Sequence, residues 1–308
     1  APSSIRGMLV SCNQFAIILN AGIPIGRAVQ LIAEKTTDKP LKKILKQVAD
    51  DVEAGRTMAS SFEERGGKLL PPTFIEAIRA GEESGSLDRS FASMAEHFDK
   101  QAKMRDKVKG ALAYPAFVFA IAIVVVIVLM VKVVPTFTAM FADLGAQLPL
   151  PTRMLIAISN FFKKYILLIV LIAAVVGIVY KLYSNTESGR LKLAKLALKL
   201  PILGNIQELN SASQFANSMT TMLGSGLPMV KALSITARTI DNYYISQEVG
   251  KLTGKLEEGH TLGASLREAN ILPDILVDMV NVGEESGEME KTLNTVAGYY
   301  DAELETAT

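Results

Sequence analysis

A chain of 308 residues with 49% hydrophobic side chains and a formal charge of +1 is too apolar for an ordinary soluble protein, and its balanced charge gives no footprint for nucleic acid. A single cysteine, Cys12, excludes an intrachain disulfide and a cysteine-based metal cluster, and there is no tryptophan. The positive but modest mean hydropathy points to a mixed architecture, part membrane and part water-soluble.

In chain order, the first segment reads as a succession of helices broken by glycine and proline. Gly22 before Pro24 marks a helix end followed by a helix start. Thr57, two residues after Gly55, is a good N-cap. Pro71 opens another helix. Leu87, Phe91, Met94 and Phe98 then follow i, i+4, i+7, i+11, one face of an α-helix. These signals predict six helices near 6–21, 24–37, 40–55, 58–65, 72–81 and 87–110, the last continuing into an apolar run.

That run, "GALAYPAFVFAIAIVVVIVLMV" at 110–131, has no charge and is long enough for a hydrocarbon core of roughly 30 Å at about 1.5 Å per residue. Pro115 is expected near the helix entry, where its missing amide hydrogen costs little. Lys132 closes the span and can snorkel. "PTFTAMFADLGAQLPLP" follows, and its three prolines are expected to start and stop a short helix. "YILLIVLIAAVVGIVY" at 165–180 is a second span, which the preceding "MLIAISNFF" can lengthen, with tyrosines at both ends suited to an interface. Lys100, Lys103, Arg105, Lys107 and Lys109 precede the first span, and Lys181, Arg190, Lys192, Lys195 and Lys199 follow the second. The connecting loop offers only Arg153, Lys163 and Lys164. The positive-inside rule puts both flanks in the cytoplasm.

The last segment repeats the first. "NAGIPI" at 20–25 matches "GSGLPM" at 224–229, and "VEAGRTMASSF" at 52–62 matches "LEEGHTLGASL" at 256–266, both at an offset of 204. "LLPPTFIEAIRAGEESG" at 69–85 matches "ILPDILVDMVNVGEESG" at 271–287 at an offset of 202. Gly226, Pro228, Thr261 and Pro273 recur as helix boundaries, and Met289, Leu293, Val296 and Tyr300 repeat the helical stripe. The expected fold class is therefore an all-α membrane protein, two homologous six-helix-bundle cytoplasmic domains joined by transmembrane helices. The expected boundaries are 5–110 for repeat one, 111–134 for the first span, 135–162 for a short extracytoplasmic loop and helix, 163–183 for the second span, 184–204 for a cytoplasmic connector and 205–308 for repeat two. The offset of 202 carries the start of the first apolar run to 312, so a third span is expected after residue 308.

The shared "GEESG" at 81–85 and 283–287 is the candidate site. Enzyme readings are weak, because there is no GxxxxGK[ST] loop and no GxGxxG after a strand. The two histidines, His97 and His260, do not occupy equivalent positions in the repeat, as a duplicated catalytic or zinc site requires. Neither span carries an Asp, Glu or His, which argues against a proton relay or an intramembrane protease. A transporter or channel would need polar residues in the spans, and a signalling receptor a phosphoacceptor histidine or nucleotide site. No cofactor is expected. Three readings of GEESG stay open. Glu82, Glu83, Glu284 and Glu285 are weak candidates for a divalent cation. Alternatively the motif is a sharp corner: Gly81 and Gly283 end one helix, Ser84 or Ser86 caps the next, Asp88 and Glu290 favour its start, and Gly85 and Gly287 allow positive φ. Finally, the exposed acidic corner could dock a partner.

Together the "AG(I/L)P"-type and "GEESG" corners, the lead "KVKGALAYPAFVF" and the following "VVPTFTAMFADLGAQLPLPTR" resemble the inner-membrane platform proteins of type IV pilus and type II secretion machines, the GspF/PilC family. The resemblance runs from about residue 8 to 306. It implies a non-enzymatic membrane core above a hexameric cytoplasmic ATPase, coupling ATP-driven motion to the insertion of pilin or pseudopilin subunits into a filament. It also implies other inner-membrane assembly proteins as partners, a tendency to dimerise and a third span. Arg105, Lys107 and Lys109 are expected to anchor at lipid headgroups or touch anionic partner segments, and the acidic corners to meet basic residues of the ATPase. A passive scaffold that only assembles other components is the alternative.

Overall fold

The computed structural model describes residues 5–145 and 149–307, apart from the side chain of Val108. Every regular element among them is helical. The chain divides into two compact units, one made of residues 1–107 and 191–308 and the other of residues 108–190.

The first unit holds both repeats. In repeat one, α1 (Ile5–Asn20), α2 (Ile25–Lys35), α3 (Lys39–Glu53), α4 (Met58–Gly66), α5 (Pro72–Ser84) and α6 (Leu87–Val128) follow the glycine and proline punctuation. A 3-10 turn, Gly67–Leu69, separates α4 from α5. In repeat two the same succession is α10 (Leu203–Gly224), α11 (Met229–Thr239), α12 (Tyr243–Glu257), α13 (Leu262–Ala269), α14 (Asp274–Ser286) and α15 (Met289–Ala307). Gly22 and Gly226 both stand at φ 86, the left-handed region that glycine adopts without a Cβ penalty. Pro24 and Pro228 are then the N-caps of α2 and α11, and Pro71 and Pro273 those of α5 and α14. The side chains of Asp38 and Asn242 cap α3 and α12 at matching places.

Each repeat buries most of the predicted stripe, with Met289 at the start of α15 only half-buried. Leu87, Phe91, Met94 and Phe98 are buried, and so are Leu293, Val296 and Tyr300. Phe15 of α1 stacks on Phe91 of α6 with ring centroids 4.4 Å apart, and Phe74 lies edge-on to Phe62 at 5.0 Å. Repeat two fills the equivalent space with Phe215, Met219 and Met222. Cys12 lies in this core, where burial raises its thiol pKa and leaves the thiol protonated. An extra helix, α9 (Glu187–Lys199), occupies the stretch read as a connector. Its end is tight: Ile202 stands at φ 67, and a Cβ on Gly204 would lie 2.3 Å from the Leu198 carbonyl oxygen.

The second unit carries the two apolar runs. α6 reaches Val128, a π-helical turn covers Leu129–Val133, α7 spans Val134–Asp143, and α8 spans Leu150–Asn185. Two helical stretches here are long and apolar enough to cross a membrane, and their apolar windows are unburied. Pro115 departs from expectation. It lies inside α6, not at a helix start, because the helix of repeat one does not stop before the apolar run. Its missing N–H therefore leaves an interior carbonyl without its donor. Downstream, Pro135 likewise offers no N–H, and the ladder slips to π geometry just before it. Thr136 and Thr138 hydroxyls donate to the carbonyls of Lys132 and Val134 at 2.7 and 2.8 Å. α8 begins 13 residues before the predicted span, at the Pro149–Pro151 signal, so Lys163 and Lys164 lie within it. Residues 146–148 of the predicted loop lie outside the described residues.

Candidate functional site

The GEESG corners are built the same way in both repeats, and each letter has a physical task. The first glycine does not end its helix. α5 runs on to Ser84 and α14 to Ser286, so the expected termination at Gly81 and Gly283 is corrected. These glycines are buried contact points instead. A Cβ on Gly81 would stand 2.3 Å from Ser90 Oγ and 3.2 Å from Leu87 Cα, and one on Gly283 would stand 3.0 Å from Met289 Cα. Their lack of a side chain lets each helix approach the next.

Gly85 and Gly287 are the true ends, both at φ 72 in the left-handed conformation. The amide of Ser86 then donates to the Gly81 carbonyl at 2.8 Å, closing the corner as a C-terminal helix motif. Ser84 and Ser86 hydroxyls meet at 2.5 Å, and Ser286 accepts from the Glu288 amide at 3.3 Å.

The first glutamate reaches a different helix. Glu82 accepts the Met58 amide at 2.8 Å and the Ala59 amide at 2.7 Å, one on each carboxylate oxygen. Glu284 accepts the Leu262 amide at 2.9 Å and the Gly263 amide at 2.6 Å in the same manner. The first amides of a helix have no intrahelical acceptor. The next one is served by the N-cap threonine: Thr57 Oγ1 accepts from Ser60, and Thr261 Oγ1 from Ala264, each at 3.3 Å. A carboxylate on the positive end of a helix gains from both charge-assisted bonding and the dipole. Glu82 and Glu284 are thus clamps that tie α5 to α4 and α14 to α13.

The second glutamates, Glu83 and Glu285, are exposed. Among the described residues no group of three or more His, Cys, Asp and Glu could hold a metal ion, so the four glutamates do not converge on one. Lys107 pairs with Glu305 of repeat two at 2.6 Å, Arg105 lines a cavity of about 610 Å³ between the repeats, and Lys109 is exposed. His97 is half-buried near Gln101, and withdrawal from water together with Lys100 lowers its pKa to about 4. His260 sits at an exposed corner, 3.7 Å from Glu258.

Sequence reasoning missed the clamp itself and a cluster around the buried Asp51 in the same repeat. Asp51 takes Arg65 through both oxygens at 2.9 and 3.1 Å, the Ser61 hydroxyl at 2.7 Å and Arg56 at 3.3 Å. Hydrogen bonds from Arg65 first, then from Ser61, pull its pKa from 3.8 to about 2. The only available signal was an unpaired-looking Asp one turn before the Gly55 corner, with arginines at 56 and 65.

The duplicated architecture agrees with what the chain is similar to. The family model described as type II secretion system (T2SS), protein F, matches residues 11–135 and 215–308. A type IV pilus assembly protein PilC from Thermus thermophilus is 31% identical over 98% of this chain and 74% of its own length. A protein of the same name from Myxococcus xanthus is 32% identical over 98% of this chain and 72% of its own. A type II secretion system protein F from Aeromonas hydrophila is 28% identical over 96% of this chain and 76% of its own. Matched in both of its repeats and over nearly its whole length, the chain belongs to the type II secretion system protein F family, which takes in the PilC proteins of type IV pilus assembly.

Proposed function

We propose that this protein is a non-enzymatic platform of a type IV pilus or type II secretion assembly machine in the bacterial inner membrane. In this reading it couples a cytoplasmic hexameric ATPase to the insertion of pilin or pseudopilin subunits into a filament. The observation that carries the reading is family membership over both repeats, joined to two helices long and apolar enough to cross a membrane. The excess of Lys and Arg on the flanks supports a multi-pass topology with both repeats, each read as a six-helix bundle, in the cytoplasm.

The GEESG geometry supports a mechanical role over a chemical one. Both corners spend one glutamate on fixing helices and leave the neighbouring one exposed. A corner held this way displays Glu83 and Glu285 in a fixed position, and a basic surface of the ATPase is the partner they suit. Helix α6, which belongs to both units, is the covalent path by which movement of repeat one reaches the apolar segment. Arg105, Lys107 and Lys109 lie on that path and suit anionic headgroups.

The test is to titrate the full chain, in detergent, with the assembly ATPase of the same organism, alongside filament assembly in cells lacking the protein. Coupling predicts saturable binding, weakened by Glu83→Lys or Glu285→Lys in variants that stay helical, with filaments lost in parallel. Filament loss on deletion but no ATPase binding by the folded chain favours the passive scaffold instead.

A further inference from the structure

The two repeats meet in the first unit through surfaces that are not the same on both sides. α5 of repeat one packs on α10 and α11 of repeat two, and Lys231 of α11 sits 3.5 Å from Glu76 of α5. Glu76 is largely buried there, its side chain 14% exposed. Such a head-to-tail contact uses one face of each repeat and leaves the equivalent other face of each repeat unused. The unused faces are α14 of repeat two and the α1–α2 end of repeat one.

The register shows what those faces carry. At the offset of 202, Thr73, Glu76 and Ala80 of α5 correspond to Ile275, Asp278 and Val282 of α14. Spacings of three and four put each trio on one helix face. Thr73 and Ala80 are buried, whereas Ile275 and Val282 are each 50% exposed. The same helix in the same fold is covered in one repeat and bare in the other, so the cover on α5 is the neighbouring repeat. On the other side, the offset of 204 makes Arg27 of α2 the counterpart of Lys231, and Ile17 of α1 the counterpart of Thr221. Arg27 is exposed and has no ion partner among the described residues, and Ile17 is 71% exposed.

The two bare faces therefore match each other. Each keeps the charge found at its junction counterpart: acidic on α14, as Glu76 is on α5, and basic on α2, as Lys231 is on α11. Each is also more apolar than its counterpart, with Ile275 and Val282 facing the role of Thr73 and Ala80, and Ile17 that of Thr221.

We propose that α14 of one copy docks on the α1–α2 end of a second copy of this chain, repeating between molecules the contact that joins the repeats within one. Asp278, which pairs within its own chain with Arg267, then reaches Arg27 of the second copy as Glu76 reaches Lys231. Ile275 and Val282 pack against Ile17 at its centre. A pair of bare apolar helix faces of opposite charge is what a heterologous protein contact needs, an apolar core with charge fixing its register.

The experiment uses the full chain in detergent, in a Cys12→Ala background. Two differently tagged single variants, Arg27→Cys and Asp278→Cys, are mixed and treated with a short bismaleimide, since ion-pair spacing between backbones is too long for a direct disulfide. The expected product is a crosslink joining the two tags, formed in the mixture and not by either variant alone. In parallel, Asp278→Arg is expected to weaken self-association at least tenfold by light scattering, and Arg27→Asp in the same chain to restore it. A monomeric parent chain, an oligomer that crosslinks only like variant to like, or one whose mixed variants never crosslink overturns the proposal. So does occupation of the α14 face by a different protein of the machine.

Discussion

Glu82 in repeat one and Glu284 in repeat two clamp the starts of α4 and α13 with nearly the same four distances. A few residues away the repeats part company. Asp51 lies in repeat one beneath Arg56 and Arg65, while the same register in repeat two holds Lys255, His260 and Ala269. Lys255 pairs with Glu268 at 2.8 Å, on the surface and with the charges reversed. What both repeats keep is the satisfaction of backbone amides, which every helix start must arrange. What differs is a side-chain pair, for which either polarity closes the same gap. The difference separates the frame of this fold from its decoration.

The sharpest way to break the comparison is to remove the clamps. Glu82→Ala and Glu284→Ala each strip two amide donors of a charged acceptor, at roughly 1.5–3 kcal/mol per bond. The expected loss is about 3 kcal/mol in either case, read by chemical denaturation, with the Gln variants losing about half because a carbonyl acceptor remains. A loss in one repeat only would mean that the two corners are not the same device.

The next effect concerns the close approach of helices. Gly81→Ala and Gly283→Ala place a methyl against Ser90 Oγ and Leu87 in one repeat and against Met289 in the other. Overpacking of this kind costs about 1–3 kcal/mol. Were these glycines helix terminators in the left-handed conformation, as Gly85 and Gly287 are, alanine would be strained but would meet no atom within 4 Å, so partial rescue of Gly81→Ala by Ser90→Gly distinguishes the two roles.

That confusion shows what was legible. The helix succession, the Gly22–Pro24 and Gly226–Pro228 corners, the buried stripe after each GEESG and the two apolar runs are all written in local spacing. Gly81 misled because glycine commonly ends helices, while the glycine that ends this one stands four residues later. The role of Glu82 is not local: its partners lie 24 and 23 residues upstream, and nothing in one copy announces them. The repeat did hold a hint, since the Thr57–GEESG and Thr261–GEESG pairs recur together, and the two-residue deletion between them falls in the turn after α4. The reach of α8 back to Leu150 was signalled by Pro149 and Pro151, which the hydropathy of the run that follows overshadowed.

Acid should sharpen the difference between repeats. The pKa of Asp51 is depressed in the fold, so its contribution to stability is present above about pH 4 and is lost as pH falls toward about 2. Glu268 is also lowered by Lys255, but on an exposed pair that salt screens. Hydrogen exchange followed from pH 5 to pH 2.5 is expected to show protection falling further across 51–65 than across 255–269, because more stability rests on the ionised Asp51. Asp51→Asn should remove that difference. An equal fall in both segments would mean that the Asp51 cluster contributes no more than the surface pair.

The smallest expected effect is the most useful for function. Glu83→Lys and Glu285→Lys touch exposed side chains outside the clamp, so stability should change by no more than about 0.5 kcal/mol. Changing both glutamates of one corner, as Glu82→Lys with Glu83→Lys, cannot separate docking from folding, because the first substitution releases α4 from α5. The single exposed change leaves the corner intact, and any loss of partner binding it causes is a loss of contact. Comparing Glu83→Lys with Glu285→Lys then asks which repeat faces the partner. If the charge at only one corner matters, the duplication has kept the clamp in both repeats for the fold and the display in one for the partner. If neither matters while both variants remain folded, the second glutamate of GEESG is a solvated helix residue, and docking lies elsewhere on the repeats.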